Sequence, residues 1–258
     1  VVRPVIARAP YRHVREPEPL FFPSSEEMPE TRRHLGLRTA LFQILELAFA
    51  DRATLGSEQF VYWDPTNPRV SCAPDVMLRL GEPDEPFDNW KVWEWGAPHL
   101  AIEIVSPSDA DRAPWEEKLQ RYRSMGVLEL VRFDADDAEL PFRIWDRPDF
   151  DLVERERALP DFARCRTLDA YFCVKHDDRL GAMLRLARDA EGRDLFPTPA
   201  EARIRAEEER ARADEERARA DEERVRANEA RRQAEEARLV AEARVRELEA
   251  ELARRARD

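Results

Sequence analysis

The chain has 258 residues and a net charge of −12, from 43 basic and 55 acidic side chains, which leaves room for one globular domain of ordinary size plus something extra. That acidity argues against a broad non-specific grip on nucleic acid, which takes a Lys/Arg surface, but a local basic cleft stays open and clustered carboxylates are what a divalent metal needs. Cys72, Cys165 and Cys173 lie in no CxxC or Cys/His spacing and read as free thiols; with no leader pattern and no apolar run of membrane-spanning length, a cytoplasmic protein is expected.

Residues 1–19 are rich in Pro and Arg and read as an extended arm. From Glu30 to Ala50 the apolar positions Leu37, Leu41, Ile44, Leu45, Ala48 and Phe49 follow a helical period. Strands are expected at Glu58–Trp63, Asp75–Leu80 and Leu100–Val105. Pro114 suits the first position of a helix running to about Met125, where Gly126 stops it. Further strands are expected at Leu128–Phe133 and Pro141–Trp145, with weaker ones near residues 150, 170 and 184. This order predicts a mixed α/β domain over residues 20–197. The stretch FDNWKVWEWG, residues 87–96, could stack on unpaired bases, but aromatics covering a sheet edge from a loop or hairpin explain it more simply.

Beyond residue 197 the composition changes to Ala, Glu and Arg, with no aromatic and a single proline, Pro199. TPAE at residues 198–201 is a capping box with Pro in the first helical position. A seven-residue repeat follows, in which Glu208, Glu215 and Glu222 each precede an arginine by four places, at Arg212, Arg219 and Arg226. Residues 198–258 therefore predict a long charged helix, too long for one domain to bury and expected to project. Ala227, Ala230, Ala234, Ala237, Ala241, Val245, Leu248 and Leu252 approach three-four spacing, so the last third could zip into a coiled coil and a homo-oligomer. A lone charged helix is the other reading.

Three features suggest chemistry. APDV, residues 73–76, places Asp75 at the mouth of a strand, and Glu103 sits inside the apolar run LAIEIV. Lys118 and Tyr122, four apart, share a face of the next helix. Carboxylates on neighbouring strands can hold Mg²⁺ or Mn²⁺ through oxygen, which would offset the burial of Glu103. A lysine beside them can hold a phosphate or orient water, a constellation for phosphodiester hydrolysis. Each residue also has a plainer reading: Asp75 as a turn element, Glu103 as half of an ion pair with an arginine, Lys118 as a solvated charge, Tyr122 as a core-edge aromatic.

The order FFPSSEEMPET, a helix, a strand ending in NPR, APDV, LAIEIVSPS and EKLQRYRSMGV resembles the Uma-two-type family of restriction endonucleases. These belong to the PD-(D/E)xK nuclease superfamily, and the resemblance spans roughly residues 20–175. The Ala/Glu/Arg tail also looks like one often appended in that family. The resemblance implies a restriction-endonuclease-like mixed sheet flanked by helices, Asp75 and Glu103 as ligands of Mg²⁺ or Mn²⁺, and DNA as substrate. It departs in two places: Val105 stands where the superfamily lysine usually follows the glutamate, and Leu130 where an aromatic is usual. The family pattern resembles a lysine relocated to the following helix, here Lys118. His34 matches a recurrent polar position in the first helix, to reach the metal or to cap the helix. Ser106 either hydrogen-bonds around the site or turns the chain before Pro107. The competing expectation is a nuclease-fold scaffold whose chemistry has decayed and whose tail recruits partners.

Overall fold

The computed structural model describes residues 31–81, 86–106 and 115–255; the N-terminal arm, most of FFPSSEEMPET and Pro114 lie outside them. The chain divides into two compact units, Val1–Thr198 and Pro199–Asp258.

The first unit opens with α1 (Arg32–Phe49), where Thr31 caps the helix by accepting the His34 N–H at 3.1 Å. Its buried face carries His34, Leu37, Arg38, Leu41, Ile44, Leu45 and Phe49, the apolar periodicity with two polar residues added at its N-terminal end. Then come β1 (Ala53–Gly56), β2 (Val61–Tyr62), β3 (Ser71–Cys72), β4 (Val76–Leu80), β5 (Trp90–Lys91), the single turn α2 (Val92–Trp95) and β6 (Leu100–Ile104). The helix α3 (Trp115–Met125) precedes β7 (Glu129–Phe133), β8 (Phe142–Asp146), β9 (Val153–Glu154), β10 (Phe162–Cys165), β11 (Ala170–Asp177) and β12 (Gly181–Ala187). Gly126 ends α3 with φ +91°, a left-handed conformation that glycine adopts without steric penalty, and its N–H returns to the Tyr122 carbonyl at 3.2 Å.

The main sheet runs β1-β4-β6-β7-β8-β9; its pairs are antiparallel except β6–β7, which the α3 crossover makes parallel. One small sheet is β10-β11-β12 and another is β3-β2-β5. Two apolar clusters lie on opposite faces of the main sheet. Leu78, Leu100, Ile102, Ile104, Val131 and Phe133 join α1 and the β10–β12 sheet in one cluster. Met77, Ala101 and Leu130 join Leu119, Tyr122 and Met125 of α3, with Val61, Cys72 and Trp90 of the small sheet, in the other. Because strand side chains alternate, Leu100, Ile102 and Ile104 face α1, while Ala101 and Glu103 face α3. This alternation aims a carboxylate at a helix.

Several short elements lack a local sequence signal. The strand β1 is four residues, all buried, and shows no period to read. Within Glu58–Trp63 only Val61 and Tyr62 form a strand. In FDNWKVWEWG, Trp90 is buried on the edge strand of the β3-β2-β5 sheet and packs on Phe87 and Trp95 with centroids 5.2 and 5.0 Å away.

The second unit is α4 (Pro199–Arg255), a single helix starting at the proline and roughly 86 Å long at 1.5 Å per residue. Arg212–Glu208, Arg219–Glu215 and Arg226–Glu222 pair at 4.0, 3.8 and 3.4 Å along its surface. From Arg203 onward every described side chain of α4 is exposed, including Val225, Leu239, Val240 and Val245.

Candidate functional site

Asp75 directly precedes β4, and Val76 pairs with Ile102 of β6. Asp75 thus comes one residue before that pair and Glu103 one residue after it, close enough for the two carboxylates to act on each other. Asp75 is 8% exposed, and its Oδ2 accepts the backbone N–H of Ile104 at 2.6 Å, so the strand that carries Glu103 also fixes Asp75. His34 reaches the same point from α1. Its Nε2 lies 3.0 Å from the Ile104 carbonyl and 3.4 Å from Asp75 Oδ1. A carbonyl only accepts, so Nε2 is the protonated nitrogen and faces the carboxylate as a donor. Thr31 caps α1, and the His34 ring is directed to Asp75.

Glu103 is 3% exposed. Lys118 Nζ stands 2.6 Å from its Oε2, and the Tyr122 hydroxyl donates to Oε1. The two partners come from one stripe of α3, as their four-residue spacing requires. The pair is therefore Glu–Lys, and among the described residues no arginine bonds this carboxylate. Burial, reinforced by the nearby Asp75, raises the Glu103 carboxyl to about 7 even though Lys118 opposes the shift. For Lys118, burial alone would lower the ammonium, but the Glu103 carboxylate beside it outweighs burial and raises it. Tyr122 is held neutral, well above the usual phenol range, first by burial.

One group of this cluster carried no signal as a functional residue. Cys72 of β3 hydrogen-bonds with Tyr122, and burial with Glu103 nearby pushes its thiol up to about 12. It extends the chain Lys118–Glu103–Tyr122 by one neutral partner. All three cysteines are free and buried. Ser106 is buried just past the end of β6. Val105 continues the ladder through its N–H to the Phe133 carbonyl at 2.7 Å and puts an aliphatic side chain two residues after Glu103.

Asp75 and Glu103 offer hard carboxylate oxygens, the donor type that Mg²⁺ and Mn²⁺ take, and each oxygen that accepts one hydrogen bond keeps a further lone pair. Among the described residues no group of three or more His, Cys, Asp or Glu is arranged around a common point for a metal. The protein's share would be two carboxylates, with water and substrate completing the coordination as is usual for Mg²⁺.

The raised Glu103 carboxyl has a signed consequence. The folded chain keeps this proton to about pH 7, whereas the unfolded chain releases it near 4.5. The stability contribution is thus fully present below 4.5 and is lost as pH rises through about 7, by up to a few kcal/mol. Glu103→Gln cannot ionise, so in chelator-treated buffer its Tm should fall less than wild type between about pH 5 and pH 8. Equal pH profiles for the two proteins would refute this assignment.

The family model described as "Uma2: Putative restriction endonuclease" matches residues 25–159. No curated protein matches the chain. Among solved structures, one similar chain is a "putative nuclease belonging to DUF820" from Anabaena variabilis, 15% identical, with 51% of this chain and 70% of that one covered and a TM-score of 0.36. The family match takes in just over half of the chain, including Asp75, Glu103, Lys118 and Tyr122, and the protein belongs to the Uma2 family.

Proposed function

We propose that residues 20–197 form a metal-dependent endonuclease domain that hydrolyses phosphodiester bonds of DNA. The observation that carries this reading is the convergence of Asp75 and Glu103 from adjacent strands, with Lys118 2.6 Å from Glu103. Membership of the Uma2 family supports it. Asp75 and Glu103 would hold Mg²⁺ or Mn²⁺, which when bound supplies Lewis-acid stabilisation of the charge developing on phosphate. Lys118 directs its ammonium at the same point, where it can orient the attacking water or a phosphate oxygen. Tyr122 holds Glu103, and the His34 Nε2–H faces Asp75, so both carboxylates meet substrate in set orientations. The test is Mg²⁺-dependent cleavage of plasmid DNA by wild type and by Asp75→Ala and Glu103→Ala. Equal cutting by all three removes the proposal.

One observation favours a second reading. Val105 stands two residues after Glu103 where a lysine would be expected, and Lys118 is already bonded to Glu103. In a scaffold with decayed chemistry this pair would serve only to neutralise a buried carboxylate. Calorimetry separates the two: no heat with millimolar Mg²⁺ or Mn²⁺ favours the scaffold.

The tail we assign to self-association or partner binding through its last third. Sedimentation should give fewer subunits for a chain ending at Thr198 than for full length, and equal numbers would refute oligomerisation through α4. Among the described residues no helix is long and apolar enough to cross a membrane. With three free buried thiols, a cytoplasmic location is part of the same proposal.

A further inference from the structure

Asp75 is also held from its backbone side. Its carbonyl accepts the Ser57 hydroxyl at 2.8 Å, and Ser57 in turn accepts Arg38 Nη1 at 2.9 Å. The second arm of Arg38, Nη2, meets Glu58 Oε2 at 3.2 Å, and the Glu58 N–H donates to the Pro74 carbonyl at 2.9 Å. Consecutive residues after β1 thus grip consecutive residues before β4. Arg38 is 9% exposed and stands one helical turn after His34, so the same face of α1 acts on Asp75 twice. His34 faces the carboxylate, and Arg38 works through Ser57 on the peptide.

Glu58 has φ +64°, a left-handed conformation that disfavours any residue with a Cβ and that glycine would adopt freely. A glutamate at this position contributes a side chain that glycine lacks, and here that side chain anchors Arg38. With Arg38 buried and Glu58 half-exposed, this ion pair is a weak source of net stability, since solvent screens it, and its effect is to hold Arg38 in one geometry. The backbone conformation, the ion pair and the hydroxyl all converge on the turn that presents one carboxylate.

We propose that Arg38, Ser57 and Glu58 are positioning residues that clamp the Pro74–Asp75 turn and set the Asp75 carboxylate for a divalent cation. The inference rests on the metal-site reading above. Groups that orient a metal ligand typically change affinity 10–100-fold when removed.

The test is titration of the full-length protein with Mn²⁺ by calorimetry, with thermal unfolding of every variant alongside. Ser57→Ala and Arg38→Met should weaken Mn²⁺ binding about tenfold or more, and Ser57→Thr, which restores the hydroxyl, should recover most of it. Glu58→Gly relaxes the backbone but removes the anion that holds Arg38, so it should lose affinity while keeping its Tm. Thr167→Ala removes a hydroxyl hydrogen bond to the His99 carbonyl elsewhere in the unit and serves as the stability control. The clamp is overturned if Ser57→Ala and Arg38→Met bind Mn²⁺ as wild type does. It is also overturned if the affinity losses of the clamp variants do no more than follow their Tm, on the same line as Thr167→Ala. Failure of wild type itself to bind Mn²⁺ would instead remove the metal site, and the clamp with it. Should Arg38→Met not fold, the Ser57 pair decides alone.

Discussion

Glu103→Gln is expected to reduce Mg²⁺-dependent cleavage by at least about 10²–10³-fold while leaving a folded protein, the scale of losing one charge-stabilising group from a preorganised site. The substitution keeps the shape of the side chain and an oxygen that can accept from Tyr122. It removes the negative charge that attracts Lys118 and that, in the proposed function, would hold the cation. Asp75→Asn should lose a similar factor, because its Oδ2 contact to the Ile104 N–H can be kept by an amide oxygen while the charge cannot. Single-turnover cleavage at saturating Mg²⁺ measures both. Cleavage within a few-fold of wild type in either variant would show that the carboxylates do not serve the reaction. Lys118→Met separates water or phosphate orientation from cation binding: it should cut poorly, and Glu103, freed of the cation that lowers its pKa, should retain its proton to higher pH.

The largest loss of stability is expected far from that site. Glu129, the first residue of β7, is 2% exposed and accepts from Arg155 at 2.8 Å, from the Arg166 N–H at 3.1 Å and from the Thr167 N–H at 2.8 Å. The Cys165 thiol adds a weaker contact at 3.5 Å. These bonds tie the end of β10 to the main sheet, and Asp146 draws Arg155 and Arg166 into the same network. Glu129→Ala strands two backbone N–H groups and half of a buried guanidinium, and should destabilise by about 3–5 kcal/mol. Urea unfolding should show a lower midpoint with an unchanged slope. A loss below about 1 kcal/mol would mean that water replaces the carboxylate without penalty. Each Glu129 oxygen accepts two described donors within the fold, whereas each Glu103 oxygen has one, from Tyr122 and from the partly exposed Lys118.

Elements with a long local signal are legible in the sequence. The periodicity of α1 places Leu37, Leu41, Ile44, Leu45 and Phe49 on its buried face, and Pro199 begins α4. Asp75, Glu103, Lys118 and Tyr122 stand out because a charge in an apolar strand and two polar residues on one helix face demand an explanation. The elements that escape such reading are short or aperiodic. Uniformly buried β1 and the two-residue β3 and β5 exist because neighbouring strands pair with them. Glu129 reads as an ordinary strand-end polar residue, since its partners Arg155, Arg166 and Thr167 are 26, 37 and 38 positions away. Arg38 offers only its four-residue offset from His34.

The sequence by itself determined the α/β order, the main helices, the change of composition at the tail and the residue types able to hold a cation. These depend on periods of 2.0 and 3.6 and on caps, interactions confined to a few neighbouring residues. Tertiary structure decided which groups meet. The β4–β6 register set Asp75 against Glu103, strand alternation turned Glu103 towards α3 so that it met Lys118, and α1 brought His34 and Arg38 to the Asp75 turn. Those encounters join residues from 15 to 70 positions apart and depend on long-range pairing and burial, which no local pattern encodes.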